Sequence, residues 1–380
     1  MEKTKIVHLI GTLSIGGAER FVVDLCNELA KTDAYEIYLV SLRDNDPKNT
    51  FVQDIDPKVK YISFNKGPGF SFSVLFKFSR WLKEINPDIV HSHLNTLEYL
   101  ILNIIGNKHT LFLHTLHGVA KMECRYFLMK QYRRILYAFN KVKPITISLN
   151  GSKTFRAYYK LENETLIANG RPDIRPGAQY DYLLHKYKLK SDDFLLVHAG
   201  RIVPEKNQQL LIRAVQQFNS KAEKKCKLLM LGEVQGEVAY RELLRLAGND
   251  PAIEFLGGVP NVTDYLYIAD AFCLSSTHEG MPISLIEALS VGCIPVSTPA
   301  GGIPQMISHG HSGFLSKGYS TEEYVDALET ALYYRDKSLI KMNAVVAFKM
   351  KYHISVSADI HSRTYTRLLE EVRNGKKTKP

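Results

Sequence analysis

The chain has 380 residues, 45% of them hydrophobic and 23% charged, with a net charge of +10. That length favours two domains over one core. The five cysteines (Cys26, Cys124, Cys226, Cys273, Cys293) are scattered without metal-ligand spacing, which excludes a disulfide framework and reads as a reducing compartment. No run approaches 18 apolar residues, so no membrane span is expected, and the opening apolar run reads as a buried strand, not a signal peptide. Charge is uneven: residues 1–172 carry 24 Lys/Arg against 16 Asp/Glu, the rest 25 against 23. A basic first half suits a polyanionic partner, or solubility alone.

In chain order, "KIVHLI", "YEIYLVSL", "VKYISF", "DIVHSH", "TLFLHTLHG" and "PITISL" read as strands in the first half. "FLLVHAG", "CKLLMLG", "AIEFLGG", "AFCLSS" and "CIPVST" do so in the second. Apolar runs without strict alternation, separated by amphipathic stretches, predict parallel sheets with helices on both faces. The rhythm breaks at "IANGRPDIRPGAQ" (167–179), a Gly/Pro-rich linker. The expectation is α/β: two Rossmann-like, doubly wound domains, 1–172 and 173–350, followed by 351–380. Ligands in such sheets sit at the carboxyl ends of strands, and a cleft between the domains is the default site.

The first turn, "GTLSIGGAER", is not the G-x-G-x-x-G dinucleotide fingerprint, and no acid ends the second strand. Gly16 and Gly17 permit close backbone approach of an anion at a helix N-terminus; a plain tight turn is the alternative. "THEGMPISLIEALSVGCIPVSTPAGG" places Glu279 and Glu287 eight residues apart. On one helix they would stand roughly 12 Å apart along the axis, beyond the about 5–9.5 Å of a glycosidase dyad. Pro282 predicts instead a turn at Gly280–Met281 and a helix from about Pro282 to Val291. Two carboxylates at different depths then suit vicinal hydroxyls, with the amides of Ile283 to Leu285 facing phosphates between them.

"HEGMPISLIEALSVGCIPVSTPAGGIP" resembles the E-x7-E signature of retaining glycosyltransferases of the GT-B fold, family 4 (glycosyl transferases group 1). "GGAER", "LHTLHG", "IANGR", "GRIVPEKN" and "FLGGV" are similar to that family's other elements, in its order. There are departures: Gln305 stands where the family usually has Glu, Arg171 and Pro172 follow "IANG", and "GEVQG" replaces a G-x-G-P turn.

The resemblance implies roles. Arg201 and Lys206 would neutralise a diphosphate leaving group, with Lys206 opening a helix. His117 would hydrogen-bond the donor sugar; taken alone it reads as a core histidine. Glu279 would contact the sugar and Glu287 the ribose, with Gly280, Met281, Ile283 and Leu285 beside them. Gly257 and Val259 would hold the base. His91 and His93, at another strand end, are candidates for the acceptor side. The final helix, about 354–373, is expected to return to the first domain. Asp44-Asn45-Asp46 is a literal D-x-D and "DID" recurs at 54–56; both read as surface loops. No metal or other cofactor is expected.

Residues 121–143, "KMECRYFLMKQYRRILYAFNKVK", carry seven Lys/Arg and one acid among aromatic and apolar residues. This fits a helix lying on an anionic membrane; single-stranded nucleic acid or a solvated core helix are the alternatives. The expected activity is retaining, metal-independent transfer of a sugar from a nucleotide diphospho-sugar, UDP-linked, to a lipid-linked or saccharide acceptor in bacterial surface polysaccharide assembly. It would take place in the cytoplasm at the inner face of the cell membrane, with no nucleic-acid partner. The rivals are a nucleotide-sugar epimerase and a non-catalytic basic binding module.

Overall fold

A computed structural model describes residues 3–43, 50–107, 109–188 and 192–374. The chain divides into two units, residues 1–172 with 353–380, and residues 173–352.

The first unit contains β1 (Thr4–Ile10), α1 (Gly17–Leu29), β2 (Tyr35–Arg43), β3 (Lys60–Lys66), α2 (Phe72–Ile85) and β4 (Ile89–His93). It continues with α3 (Ile101–Ile104), β5 (Leu111–Leu116), α4 (Ala120–Glu123), α5 (Phe127–Ala138), β6 (Lys143–Thr146), α6 (Leu149–Tyr159) and β7 (Thr165–Leu166). All seven strands are parallel, in the order β3-β2-β1-β4-β5-β6-β7. The second unit runs α7 (Tyr180–Tyr187), β8 (Phe194–Ala199), α8 (Gln208–Lys221), β9 (Cys226–Leu231), α9 (Glu237–Ala247), β10 (Ile253–Gly257) and α10 (Val262–Ile268). There follow β11 (Ala271–Leu274), α11 (Ile283–Ser290), β12 (Ile294–Ser297), α12 (Ile303–Met306), β13 (Phe314–Leu315), α13 (Thr321–Leu332) and α14 (Lys337–Ala347). Its six parallel strands run β10-β9-β8-β11-β12-β13. Both orders reverse beside the first strand of the unit, the switch point at which doubly wound sheets open a ligand crevice.

Local chemistry sets the element ends. Ser71 caps α2 by accepting from the Val74 amide at 3.3 Å, and α2 stops at Asn86, which is left-handed and precedes Pro87. Ser320 and Glu323 form a capping box on α13.

In the first unit the period of two splits the sheet chemically. Val7, Leu9, Val90, Phe112 and Leu116 join the buried cluster with residues of α2, α3, α5 and α6. The alternate positions, His8, His91 and His93, carry imidazoles, with His8 and His91 in register on β1 and β4. That face is covered by Phe21 of α1 and by His361 and Tyr365 of the last helix, α15 (Ile354–Asn374). Burying a side chain the size of Tyr365 contributes about 1.5–3 kcal/mol.

The expected domain limit at 350/351 falls at 352/353 instead. A π-helical turn, Phe348–Tyr352, keeps Lys351 and Tyr352 with the second unit, where the Tyr352 hydroxyl donates to the Gln305 carbonyl at 3.1 Å. The short strands β7 and β13 lie outside the strand expectations, and "PITISL" is a strand only as far as Thr146, because Ser148 caps α6.

Candidate active site

In the second unit the polar groups gather where β8 and β11 end. Lys206 lies in a 3-10 turn, Pro204–Lys206, and does not open the helix; Asn207, left-handed at φ 49°, turns the chain into α8. The Lys206 ammonium donates to Glu279 Oε1 at 2.6 Å, and the Ser276 hydroxyl donates to the same oxygen at 2.6 Å. The Glu279 side chain is 9% exposed and that of Lys206 18%, so the pair is largely shielded from screening. Two further contacts fix the turn against this loop. The Thr277 amide donates to the Glu205 carbonyl at 2.9 Å, and the Ser275 hydroxyl to the Lys206 carbonyl at 2.8 Å. Arg201 is exposed and donates to Gln235 Oε1 at 3.1 Å.

Two glycines make this geometry possible. Gly301 has φ +55°, and a Cβ there would collide with the Glu279 carbonyl, which accepts from the Gly302 amide at 3.2 Å. Gly232 has φ +154°, and a Cβ there would collide with the Gly200 carbonyl. Gly257, expected beside the base, ends β10 and accepts from the Gly232 amide at 2.7 Å; Val259 is half-buried.

Pro282 is the N-cap of α11 and the helix proper is Ile283–Ser290, so Glu287 lies just over one turn in. Glu287 is half-buried. Met281, Ile283 and Leu285 are buried, so only their backbone can meet a ligand. The Leu285 amide already donates to the Pro282 carbonyl at 3.2 Å, which shortens the expected phosphate-facing row to Ile283 and Ser284.

In the first unit His117 follows β5 at its carboxyl end and is half-buried. The Glu123 carboxyl holds the amides of Gly118 and His117, and burial pushes it up to about 7. His117 Nε2 lies 3.1 Å from His93 Nδ1. Burial, and next the charge of His361, push His117 down to about 3.

His91 and His93 do not line an acceptor site. Both are fully buried. His91 is bonded by Tyr365 Oη and Thr115 Oγ1, each at 2.7 Å, and His93 by His117 and His8, each at 3.1 Å. His8, His91 and His93 are the one group among the described residues with metal-ligating atoms within 4.8 Å of one another. All four nitrogens of His91 and His93 are nonetheless spent on protein hydrogen bonds. Leu94, just after them, is left-handed at φ 56°, a strained position for leucine.

At the first glycine turn, Gly16 caps α1 and the Glu19 carboxylate lies over it, so the protein's own anion shares the place open to a ligand. Arg20 and the unexpected Arg171 both pair with Asp24. Of the second aspartate pair, Asp54 binds Arg20 and Asp56 accepts from the Lys58 amide at 2.8 Å, as surface turns do. Asp44, Asn45 and Asp46 lie outside the described residues.

Residues 121–143 are not one helix: α4 and α5 are separated at Cys124–Tyr126. Arg133 points inward, 1% exposed, and donates to Glu98 at 2.8 Å. Outward stand Tyr126, Phe127, Leu128, Ile135 and Phe139, each more than half exposed, with Lys121, Arg125, Arg134 and Lys141 among them. Among the described residues no helix is long and apolar enough to cross a membrane.

Ser276, Gly232, Gly301, His8 and Glu123 were not singled out from the sequence. His8 had a usable signal, since a histidine in "KIVHLI" comes into register with "HSH" once β1 and β4 pair.

Two family models match: Glycosyltransferase Family 4 over residues 15–170 and Glycosyl transferases group 1 over 183–342. The capsular polysaccharide biosynthesis glycosyltransferase CapH of Staphylococcus aureus is 25% identical over 77% of this chain and 81% of its own. A GalNAc-alpha-(1->4)-GalNAc-alpha-(1->3)-diNAcBac-PP-undecaprenol alpha-1,4-N-acetyl-D-galactosaminyltransferase of Campylobacter jejuni is 25% identical over 82% and 84%. In fold the chain is similar to Anabaena Alr3699/HepE, solved in complex with UDP, at a TM-score of 0.80 and 19% identity, covering 96% of this chain and 100% of that one.

Proposed function

Since the chain is a glycosyltransferase of the GT-B fold and belongs to family 4, the glycosyl transferases of group 1, we propose that it transfers a sugar from a UDP-linked donor to a lipid-linked or saccharide acceptor. The transfer proceeds with retention at the reacting carbon, without a metal, in bacterial surface polysaccharide assembly. The observation that carries this reading is the Lys206–Glu279–Ser276 constellation beside the start of α11.

A diphosphate competes with Glu279 for the Lys206 ammonium. As the donor enters, Lys206 exchanges a carboxylate for a phosphate oxygen, and Glu279 Oε1 is released to accept from sugar hydroxyls. Each contact then strengthens as charge develops on the leaving group, which is what accelerates the chemical step. Glu287 accepts from the ribose hydroxyls. His117 is the residue of the first unit to which the family resemblance gives a sugar contact. The departing diphosphate takes the acceptor proton on the face it leaves, which gives retention. UDP is favoured because a neighbour in fold was solved with it, and a lipid-linked acceptor because the Campylobacter relative's name carries one. The exposed aromatic and basic residues of α4 and α5 fit an anionic membrane surface on which such an acceptor lies.

A transfer and hydrolysis assay with a panel of UDP- and GDP-sugars tests the reading. Turnover of one UDP-sugar with retained configuration supports it. Binding of anionic vesicles with no turnover of any donor, and no calorimetric heat with UDP, leaves only a binding module.

A further inference from the structure

The two faces of the first sheet are covered unequally. Val7, Val90 and Phe112 pack under α2 to α6, and the opposite face packs under α1 and α15. The outward sides of α2 to α6 therefore look the same way. Those five helices carry nine Lys/Arg against two acids, whereas α1 and α15 carry four against six. Apolar exposure divides in the same sense. Among the described residues of α1 and α15, Ile360 alone is an exposed large apolar side chain. On the other layer the exposed aromatic residues of α4 and α5 have company. Phe72 is 69% exposed and Phe76 61%, one turn apart on α2, and Ile105, at 72%, stands just after α3. The Asn103 side-chain amide ties α3 to α2 by donating to the Ser79 carbonyl at 3.1 Å. The Phe70 ring stacks on Tyr99 at 4.7 Å and meets Phe72 edge-on at 5.2 Å, which braces the aromatic end of α2.

Phe72, Phe76, Arg80 and Lys83 follow one another at intervals of four, four and three residues, so they share one stripe of the helix. Lys77, Arg80 and Lys83 are exposed and pair with no acid among the described residues. Arg363 and Arg367 of α15, by contrast, are spent on Asp359 and Glu371. Large rings held out in water beside unpaired cations match an anionic bilayer, which takes the rings at its headgroup–acyl boundary and the cations at its phosphates. A protein partner fits less well, because the cores of protein interfaces are depleted of charge and of lysine. We propose that α2 is a second lipid anchor, so that the first unit rests on an anionic bilayer by the whole α2–α6 layer, with its sheet along the membrane plane. This rests on the reading of α4 and α5 as a membrane face and adds an attachment which that reading does not contain. Two contacts on one layer act together: once one is made the other is held at the surface, so loss of either releases the protein. They also fix which way the unit faces, which a single helix, free to roll, does not.

The probe is a vesicle of phosphatidylglycerol and phosphatidylcholine mixed with the full chain. Hydrogen exchange with and without vesicles should show protection over residues 70–83 and 102–105 together with 126–139, and none in α1 or α15. Phe72 and Phe76 are exposed, so the paired change Phe72→Ser and Phe76→Ser should leave the fold and donor hydrolysis intact. Its vesicle affinity should fall about 10–100-fold. Protection confined to 126–139, with the paired serine variant binding as tightly as the wild type, overturns the second anchor and leaves the α4–α5 reading standing. A wild type that binds no vesicle ends both. A wild-type dimer in solution that the paired variant abolishes makes the α2 face a contact between two copies of the chain, and overturns the proposal as well.

Discussion

Six histidines with depressed pKa values lie in the first unit (His8, His91, His93, His114, His117, His361) and one, His198, in the second, although the two sheets share a strand order. The second unit builds its ligand end from backbone: Gly200, Gly232 and Gly257 close three neighbouring strands, and one lysine–glutamate pair supplies the charge. The first builds its own from buried rings that hold one another. One strand order thus carries two different sheet ends, one built of glycine backbone with a single charge pair and one built of buried imidazoles that contact one another. The first end holds one depressed histidine, His198, and the second six, so acid should act on them unequally.

Acid is the strongest way to separate the units. Burial pushes His8 and His117 down to about 3 and His361 to about 4, against an ordinary value of 6.5. The unfolded chain takes up protons as pH falls through 6.5 and the folded unit does not. The stability is therefore complete above about 6.5 and is lost as pH falls toward 3–4, at ~1.4 kcal/mol per pH unit for each such proton. His198, at about 4, gives the second unit one such proton. Glu123 runs the other way, costing stability as pH rises from its ordinary range toward 7. Hydrogen exchange from pH 7 to 4.5 should show the first unit losing protection several-fold more steeply. Parallel loss in both units breaks the comparison.

Next in size is the charge pair of the second unit. Lys206→Ala should lower kcat/KM roughly 10²–10³-fold, as for loss of one preorganised donor, and exposed Arg201→Ala should cost less. EDTA should leave the wild type active; full loss restored by manganese would return attention to Asp44 and Asp46.

A smaller effect sharpens the division between the two glutamates. Glu287→Gln should weaken UDP binding by about 1.5–3 kcal/mol, since a charged acceptor is lost. Glu279→Gln should leave UDP affinity nearly unchanged or slightly improved, because it frees Lys206, while turnover falls. Equal loss of UDP affinity in both variants would defeat this division.

The smallest effect is at the membrane. Replacing Lys121, Arg125 and Lys141 with glutamate should abolish co-sedimentation with anionic vesicles, at about 1 kcal/mol per charge, with donor hydrolysis intact. Binding by the wild type should fade as salt rises. A variant that still sediments makes the basic face a solvated one. Arg133 does not belong in that test, since its buried contact with Glu98 would be broken.

Both sheets, their parallel sense and the turn at Gly280–Met281 were legible because apolar runs and prolines act locally. The Glu279–Lys206 contact was not, since it joins residues 73 apart through two loops. The histidine chain was hidden for a related reason. Strands buried on both faces show little alternation, so His8 drew no notice and His91 and His93 read as candidates for the acceptor side until strand register put the three side by side. Arg133 misled because a basic run read as one helix face conceals which arginine turns inward.

The last helix gives the chain an order of assembly. His91 and the face around it are completed by Tyr365 and His361, which the ribosome makes about 190 residues after Pro172. At about 5–20 residues per second that is a wait of roughly 10–40 s. Meanwhile the second unit, contiguous in sequence, can fold to completion. The half that starts first therefore finishes last, with its imidazole face open to water, to protons and to chaperones until the helix arrives.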